Sequence, residues 1–269
     1  MARQRKGHGA SSLGRVVMAL AALVGGLITG PDAARAAAPD PNVLWRIVHD
    51  RCVPDLARFH TPLPCIAVHP RAGYALLKDR DGATQVLLIP TARVTGIEDP
   101  AVRAPTAPDY FQLAWAERGT VSALAGRALA RQDVVLAVNS IYGRTQNQLH
   151  IHIDCIVPAV RAAIAAKVGA LGTRWAPFPA PLPGGPYLAR VVASPDLAGV
   201  NPFRLLAAGG VPGAAAEMGR WTLAAAGTSL PPDGRPGFVL FAGRADLAHG
   251  DHGAAERLQD HTCALARRH

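Results

Sequence analysis

The chain has 269 residues, of which 49% are hydrophobic and 17% are charged. This composition excludes a largely disordered protein and supports one large domain or two small ones with a sizeable core. The formal net charge of +9 falls to +5 without residues 1–36, which carry five basic residues and one acidic residue. A modest positive balance suits an anionic membrane surface or a phosphate-bearing substrate. Because aromatic residues make up only 5% and no nucleic-acid-binding motif occurs, we expect no nucleic-acid partner.

Residues 1–36 have the layout of a signal peptide or an N-terminal membrane anchor. An apolar run at 16–28 is followed by the cleavage-type sequence Ala34-Arg35-Ala36 and preceded by four basic residues, Arg3, Arg5, Lys6 and Arg15. The run is shorter than the roughly 20 residues of a transmembrane helix, so cleavage and retention both stay open. In either case the layout predicts export.

The chain contains four cysteines, Cys52, Cys65, Cys155 and Cys263. An even number in an exported chain favours disulfides over four buried free thiols, and three pairings are possible. Cys52 and Cys65 bracket a short proline-rich loop, 53–64, so their pairing is the local choice. Pairing of Cys155 with Cys263 would then tie a central strand to the C-terminal region. The spacings contain no C-x-x-C and do not predict a zinc site.

Hydrophobic periodicity predicts an α+β protein with a mainly antiparallel sheet. The predicted elements are, in chain order, a helix at 42–50, a strand hairpin at 73–78 and 84–89, a helix at 110–130, a strand at 134–139, a helix at 159–171, strands at 187–193, 221–226 and 237–242 with a short helix at 201–206 between them, and a terminal helix at 254–268. We interpret 40–172 as the catalytic region and 173–269 as a C-terminal α+β region packed on it.

The stretch 148–155 alternates strictly between polar and apolar residues. One parity holds Gln148, His150, His152 and Asp154. A period of two predicts a strand with both imidazoles on one face and apolar residues on the other. A single histidine on a strand is usually structural. Two on one face, next to Asp154 and a polar turn, indicate a functional site, because buried imidazoles need partners or a task.

Polar groups suited to a phosphate precede this strand. Amide, hydroxyl, guanidinium and backbone groups come together in the turn formed by Gly143, Arg144, Thr145 and Gln146. Lys78, at the end of a predicted hairpin strand, could contact a phosphate or a ribose, although a solvated lysine is commoner at a strand end.

The stretch from Gly143 to Ile153, GRTQNQLHIHI, resembles the histidine-triad superfamily. The signature of that superfamily is three histidines alternating with apolar residues after a turn that holds a glycine and a hydroxyl residue. Gly143 and Thr145 match the turn, and Asn139 matches the polar residue that ends the preceding strand.

The histidines match in part. His150 occupies the place of the middle histidine, which is the nucleophile in the superfamily, and His152 occupies the place of the third. Gln148 stands where the first histidine belongs. The resemblance therefore implies a catalytic group of His150, His152 and Gln148, with substrate-binding roles for Asn139 and the turn.

More specifically, the chain from about Trp45 onward resembles the bacterial CDP-diacylglycerol pyrophosphatase family. The segments that carry this resemblance are 73–79, 87–91, 143–147, 174–175 and 260–263. The resemblance implies a histidine-triad-like fold and hydrolysis of CDP-diacylglycerol to CMP and phosphatidate, without a cofactor. It also implies a location at the periplasmic face of a bacterial inner membrane, with the lipid substrate and the membrane surface as partners and no obligate protein partner.

A neutral imidazole is a good nucleophile toward phosphorus, because its ordinary pKa is about 6.5. Attack by His150 would give a covalent nucleotidyl-histidine. The turn would stabilise charge on the phosphate oxygens, and His152 would donate to a non-bridging or leaving oxygen. Gln148 can donate a hydrogen bond but cannot transfer a proton. It therefore suits a leaving group that needs little protonation, such as phosphatidate.

Three alternatives stay open at this point. The protein could act on other nucleoside diphosphate compounds, such as a dinucleotide or a nucleotide sugar. A metal ion could be held by His150, His152 and Asp154, since three ligands can suffice. The protein could also be a binding protein that lost catalysis together with the first histidine.

Overall fold

A nine-stranded sheet, in which every pairing is antiparallel, runs through residues 40–267, the part of the chain that the computed structural model describes. Across the sheet the strands lie in the order β1 (Ala67–His69), β2 (Tyr74–Lys78), β3 (Val86–Pro90), β5 (Ile151–Cys155), β4 (Val134–Val138), β8 (Trp221–Leu230), β9 (Arg235–Arg244), β7 (Tyr187–Val192) and β6 (Ala176–Pro177). The expected α+β class is confirmed. The predicted signal or anchor, 1–36, lies outside the described residues.

The α-helices of this part of the chain are α1 (Val43–Arg46), α2 (Val53–Phe59), α3 (Tyr110–Ala116), α4 (Arg118–Leu124), α5 (Pro158–Lys167) and α6 (Pro202–Ala208). A π-helical segment, Ile47–Cys52, joins α1 to α2. Helical structure therefore continues to Phe59, into the stretch 53–64 that the sequence predicted as a loop. Pro54, in the first turn of α2, has no N–H for the regular ladder, which accounts for the wider turn before it. None of the described helices is long and apolar enough to cross a membrane.

Apolar residues cover both faces of the sheet. On one face Ile151 and Ile153 of β5 join the largest cluster, to which α3 contributes Phe111 and Trp115. On the other face two smaller clusters form. One packs the helical segment around Val48 and Cys52 against β2 and β3, and the other packs α5 against β4, β8 and β9.

The register of the central strands places the histidines between these two smaller clusters. His152 lies opposite Leu87 of β3 on one side and opposite Ala137 of β4 on the other. Leu87 belongs to the cluster under the N-terminal helices and Ala137 to the cluster under α5. Because side chains alternate between the faces of a strand, the histidines emerge where neither cluster covers the sheet.

Strands of the predicted catalytic and C-terminal regions belong to the same sheet. β4 pairs with β8, with Val138 opposite Leu223, so the sheet continues from one region into the other. The division of the chain at residue 172 stays a prediction.

Two predicted helices differ from the observed structure. The helix expected at 110–130 is broken at Glu117 and ends at Leu124, and Gly126 follows with a φ of +70° that stops helical continuation. The terminal helix expected at 254–268 is wrong. Two short 3-10 segments, Ala255–Leu258 and Ala264–Arg267, stand in its place, because Gln259 between them forms an isolated β-bridge with Ile156.

Both expected disulfides are present. Cys52 pairs with Cys65, with 5.7 Å between their Cα atoms, and Cys155 pairs with Cys263, with 5.2 Å between theirs. The second disulfide links the histidine strand β5 to the last described segment of the chain.

Candidate active site

The two histidines of β5 lie side by side, as the period of two predicted. The ring centroids of His150 and His152 are 4.9 Å apart, and the ring planes meet at 66°. Only 8% of His150 and 5% of His152 is exposed. Such burial disfavours the charged imidazolium, so the site presents two neutral rings in contact.

The protonation of His150 follows from its hydrogen bond. Nδ1 lies 2.7 Å from the backbone carbonyl oxygen of Gln148, which can only accept. Nδ1 therefore carries the proton, and the lone pair of the neutral ring is on Nε2. Burial, and next the nearby His152, lowers the pKa of His150 to about 4. At neutral pH the ring is neutral and its lone pair is on Nε2.

His152 has the opposite tautomer. The side-chain amide nitrogen of Gln85 is hydrogen bonded to Nδ1 of His152. With the amide assigned so that its N–H donates, Nδ1 is the acceptor and Nε2 carries the proton. Nε2 is buried and makes no hydrogen bond, although it lies 3.2 Å from Oε2 of Glu256. Burial, and the charge of His261, lowers the pKa of His152.

Glu256 reaches the site from the 3-10 segment Ala255–Leu258, about a hundred residues after β5 in the chain. The backbone N–H of Glu256 donates to Oδ1 of Asn139 at 3.3 Å. The N–H of Ala255 donates to Oγ1 of Thr222, which donates in turn to the carbonyl oxygen of Val138. These bonds fix the carboxylate against the end of β4.

The loop after β4 and the segment before Glu256 interlock. The backbone N–H of Ser140 donates to the carbonyl oxygen of Gly253. The hydroxyl of Ser140 donates to the carbonyl oxygen of His252. The hydroxyl of Ser140 also accepts from the N–H of Gly143 at 3.1 Å. A Cβ on Gly143 would lie 2.9 Å from the carbonyl oxygen of Gly253, so the glycine of the turn permits this contact.

Asp154 is fully buried and pairs with His261. Its Oδ2 lies 2.8 Å from Nδ1 of His261, and its Oδ1 accepts from the hydroxyl of Thr84 at 2.6 Å. The hydrogen bond to Asp154 raises the pKa of His261. Within residues 40–267 no group of three or more His, Cys, Asp or Glu side chains is placed to hold a metal ion.

In the predicted turn, Arg144 and Gln146 bind other parts of the protein, and Thr145 faces solvent. Arg144 forms two hydrogen bonds of 2.6 Å with the carboxylate of Glu98, and 8% of its side chain is exposed. The amide of Gln146 binds the backbone of Asp40 and Leu44. Thr145 is exposed. Arg144 and Gln146 therefore hold the turn in place, and their contacts to substrate stay predictions.

The remaining predicted residues also have backbone partners. The side chain of Gln148 is fully buried, and its amide nitrogen donates to the carbonyl oxygens of Pro90 at 3.0 Å and Ala92 at 2.8 Å. The ammonium of Lys78 donates to the carbonyl oxygens of Asp79 and Gly82 in the hairpin turn. The catalytic role of Gln148 and the binding role of Lys78 stay predictions.

Sequence reasoning about the site missed Gln85, Glu256 and His261. Gln85 and Glu256 had no local pattern to mark them, and Glu256 fell in a segment predicted as helix. His261 lies in 260–263, a segment that the family resemblance already included. Two cavities of about 410 and 440 Å³ occur elsewhere in the described part of the chain, and neither is lined by His150 or His152.

Comparisons with known proteins point to one family. The sequence model of a family described as CDP-diacylglycerol pyrophosphatase (CDH) matches residues 39–267. The CDP-diacylglycerol pyrophosphatase of Yersinia pestis is 42% identical over 224 residues, which cover 83% of this chain and 84% of that protein.

A solved structure is similar at a greater distance. The crystal structure of yeast Ap4A phosphorylase Apa2 matches with a TM-score of 0.35 and 11% identity, over 76% of this chain and 79% of that chain. This likeness is too distant to support an argument, so the histidine-triad-like fold stays a prediction. The family match covers almost the whole described chain, and the Yersinia relative is similar over more than two thirds of it. The chain belongs to the CDP-diacylglycerol pyrophosphatase family.

Proposed function

We propose that the protein hydrolyses the pyrophosphate bond of CDP-diacylglycerol, giving CMP and phosphatidate through a covalent intermediate on His150. Family membership supports the reaction. The observation that carries the mechanism is the hydrogen bond from Nδ1 of His150 to the Gln148 carbonyl oxygen. This bond leaves a lone pair on Nε2 of a ring that burial keeps neutral, which is the form a nucleophile needs.

In the first step Nε2 of His150 attacks the phosphorus of the CMP moiety. A P–N bond forms, the bond from phosphorus to the phosphatidate oxygen breaks, and its electron pair leaves with phosphatidate. The ring then carries a positive charge with its proton still on Nδ1. The carbonyl oxygen of Gln148 accepts from that N–H and stabilises the charge, since hydrogen bonds from charged donors are the stronger ones.

His152 is placed to act as a hydrogen-bond donor in this step. Its Nε2–H is buried and unpaired beside His150, and a buried donor without a partner is costly unless a ligand satisfies it. Donation to the departing phosphatidate oxygen, or to a non-bridging oxygen, would satisfy it in the complex. Thr145 and Asn139 complete the proposed phosphate contacts, with the backbone of the Gly143 turn.

A lipid substrate requires access to a membrane surface. The end of α2 and the loop after it expose Phe59 at 66%, Leu63 at 61% and Ile66 at 43%. Exposed Arg51 and Arg58 flank these apolar side chains. An apolar tip with neighbouring basic residues suits the headgroup region of an anionic bilayer. We place this surface at the periplasmic face of the inner membrane, a compartment that suits the two disulfides.

The test is incubation of the purified protein with CDP-diacylglycerol in mixed micelles, with separation of CMP and phosphatidate. Rapid quenching without acid, followed by mass spectrometry, should find CMP attached to the peptide that contains His150. Absence of both products would overturn the proposed function. Turnover without a nucleotide adduct, even in single-turnover reactions, would overturn the covalent mechanism alone.

A further inference from the structure

The carboxylate of Glu256 lies at the site but has no role in the proposed first step. Its Oε2 lies 3.2 Å from Nε2 of His152, and one third of the side chain is exposed. Among the described residues the buried Nε2 beside it has no hydrogen-bond partner. Two adjacent polar groups that do not bond to each other, one of them in a water-poor site, indicate that a ligand or a reacting molecule completes the arrangement.

The second half of the proposed reaction requires such a base. After phosphatidate leaves, a water molecule must attack the CMP–His150 intermediate and lose a proton. The amide of Gln148 cannot take a proton, and its N–H groups are bound to Pro90 and Ala92. His152 is also unsuited, because its Nδ1 is bound by Gln85 and its Nε2 already carries a proton. Among the residues that the structure describes, Glu256 is a carboxylate in contact with the pair, through Nε2 of His152.

The position of Glu256 also fits the direction of attack. In-line displacement requires water to enter from the side where phosphatidate left, opposite Nε2 of His150. In the proposed first step His152 donates toward that departing oxygen. A carboxylate in contact with Nε2 of His152 therefore lies next to the path of the incoming water.

We propose that Glu256 is the general base that activates water to hydrolyse the CMP–His150 intermediate. The inference rests on the proposed function. In this step a water O–H proton passes to Oε2 of Glu256, the water oxygen bonds to phosphorus, and the P–N bond breaks with its electron pair returning to Nε2. CMP is released, and Glu256 then loses the proton to solvent through its exposed face. A base at this place makes the enzyme a hydrolase, because water becomes the acceptor of the nucleotide.

The experiment measures phosphatidate and CMP separately in rapid-quench reactions of the full-length protein with Glu256→Gln, with CDP-diacylglycerol in excess over enzyme. Phosphatidate should appear in a burst of about one equivalent per enzyme, whereas CMP release should slow about 100- to 10,000-fold, the range for loss of a general base. CMP should accumulate on the peptide that contains His150. Hydroxylamine, a nucleophile that needs no base, should discharge the nucleotide from Glu256→Gln and leave no effect in His150→Ala.

Two variants complete the design. Glu217→Gln removes a half-exposed carboxylate that pairs with Arg220 and Arg244 and should behave as wild type. Glu256→Asp keeps a carboxylate and should release CMP faster than Glu256→Gln. If Glu256→Gln keeps wild-type CMP release, or if both Glu256 variants lose the phosphatidate burst together with CMP release, the inference is overturned. If wild type itself releases no CMP, the proposed function fails instead.

Discussion

The backbone carbonyl oxygen of Gln148 accepts a hydrogen bond from the Nδ1–H of His150, and the oxygen and the nitrogen are 2.7 Å apart. The residue that stands in place of a first histidine therefore acts on its neighbour through the backbone. The side chain of Gln148 is meanwhile bound to the carbonyl oxygens of Pro90 and Ala92. A change of that side chain would therefore reach His150, the proposed nucleophile, through the main chain.

Replacement of His150 by alanine should remove turnover almost entirely. Loss of a covalent nucleophile costs several orders of magnitude in rate, because no other group can form the intermediate. The measurement is CMP release from CDP-diacylglycerol, with circular dichroism to check folding. The control is His249→Ala, because His249 is exposed and pairs with Asp246. A folded His150→Ala protein with near-normal hydrolysis would contradict the proposed covalent mechanism.

Replacement of His152 by alanine should slow the reaction by about 100- to 1,000-fold, the range for loss of one donor to a developing oxyanion. The reason is the unpaired, buried Nε2–H beside the nucleophile. The defect should shrink with a substrate whose leaving phosphate is more acidic, since such a group needs less stabilisation. An equal defect for both substrates would show that His152 does not act on the leaving group.

The pair of His261 and Asp154 should make part of the stability pH-dependent. The hydrogen bond to Asp154 raises the pKa of His261 in the folded protein above its unfolded value of about 6.5. Its stabilisation is therefore fully present below that unfolded value and is lost as pH rises through the folded pKa. The measurement is the difference in unfolding free energy between wild type and His261→Asn across this range.

That difference cancels the contributions of titrating groups that His261 does not influence, so it reports on His261 with its neighbours Asp154 and His152. It should favour wild type most at mildly acidic pH and diminish toward alkaline pH. A difference that stays constant, or grows with pH, would contradict the assignment of a protonated His261 beside Asp154.

Removal of the two disulfides should have unequal effects on stability. The cysteines are 13 residues apart in Cys52–Cys65 and 108 apart in Cys155–Cys263. Chain entropy gives about 3 kcal/mol for a loop of ~15 residues and about 4.7 kcal/mol for one of ~100 residues. The Cys155→Ala/Cys263→Ala variant should therefore lose more unfolding free energy than Cys52→Ala/Cys65→Ala, as measured by denaturant titration. The reverse order would contradict this prediction.

The exposed apolar loop should determine activity on membranes. Phe59→Ser together with Leu63→Ser removes two side chains that would each contribute about 1.5–3 kcal/mol on full burial. We expect KM for CDP-diacylglycerol in anionic vesicles to rise about tenfold or more, with kcat in detergent micelles unchanged. Leu124→Ser is the matched control, because Leu124 is 43% exposed on α4. An equal change in KM for the loop variant and the control would contradict the proposal that this loop binds the membrane surface.

Local sequence patterns predicted much of this structure. The alternation around His150 and His152 predicted one strand with both rings on one face, and the cysteine spacing favoured the two disulfides that form. These features depend on neighbours in the chain or on covalent chemistry, and both can be inferred from local sequence and residue counts. The hairpin formed by β2 and β3 was likewise predicted from local sequence.

Other features depended on contacts between distant segments. Gln259 bridges to Ile156 and ends the predicted terminal helix. Arg144 is bound by Glu98, which no local pattern connects with the turn. Glu256 reaches His152 only because the last strands of the sheet carry the chain back to β4. Such partners belong to tertiary structure, and one sequence contains no periodic signal for them.

The junction between Gly143 and Gly253 has a consequence for the genetics of this protein. A Cβ on Gly143 would lie 2.9 Å from the carbonyl oxygen of Gly253, and a Cβ on Gly253, which has a φ of +66°, would lie 3.1 Å from the side chain of Ser140. A mutation at either glycine pushes apart two loops that are distant in the sequence. At Gly143 a second mutation cannot relieve the clash by shrinking a facing side chain, because the contact is with a backbone carbonyl oxygen; at Gly253 the positive φ stays strained even if Ser140 is made smaller. Suppressor screens should therefore return true revertants at these two codons.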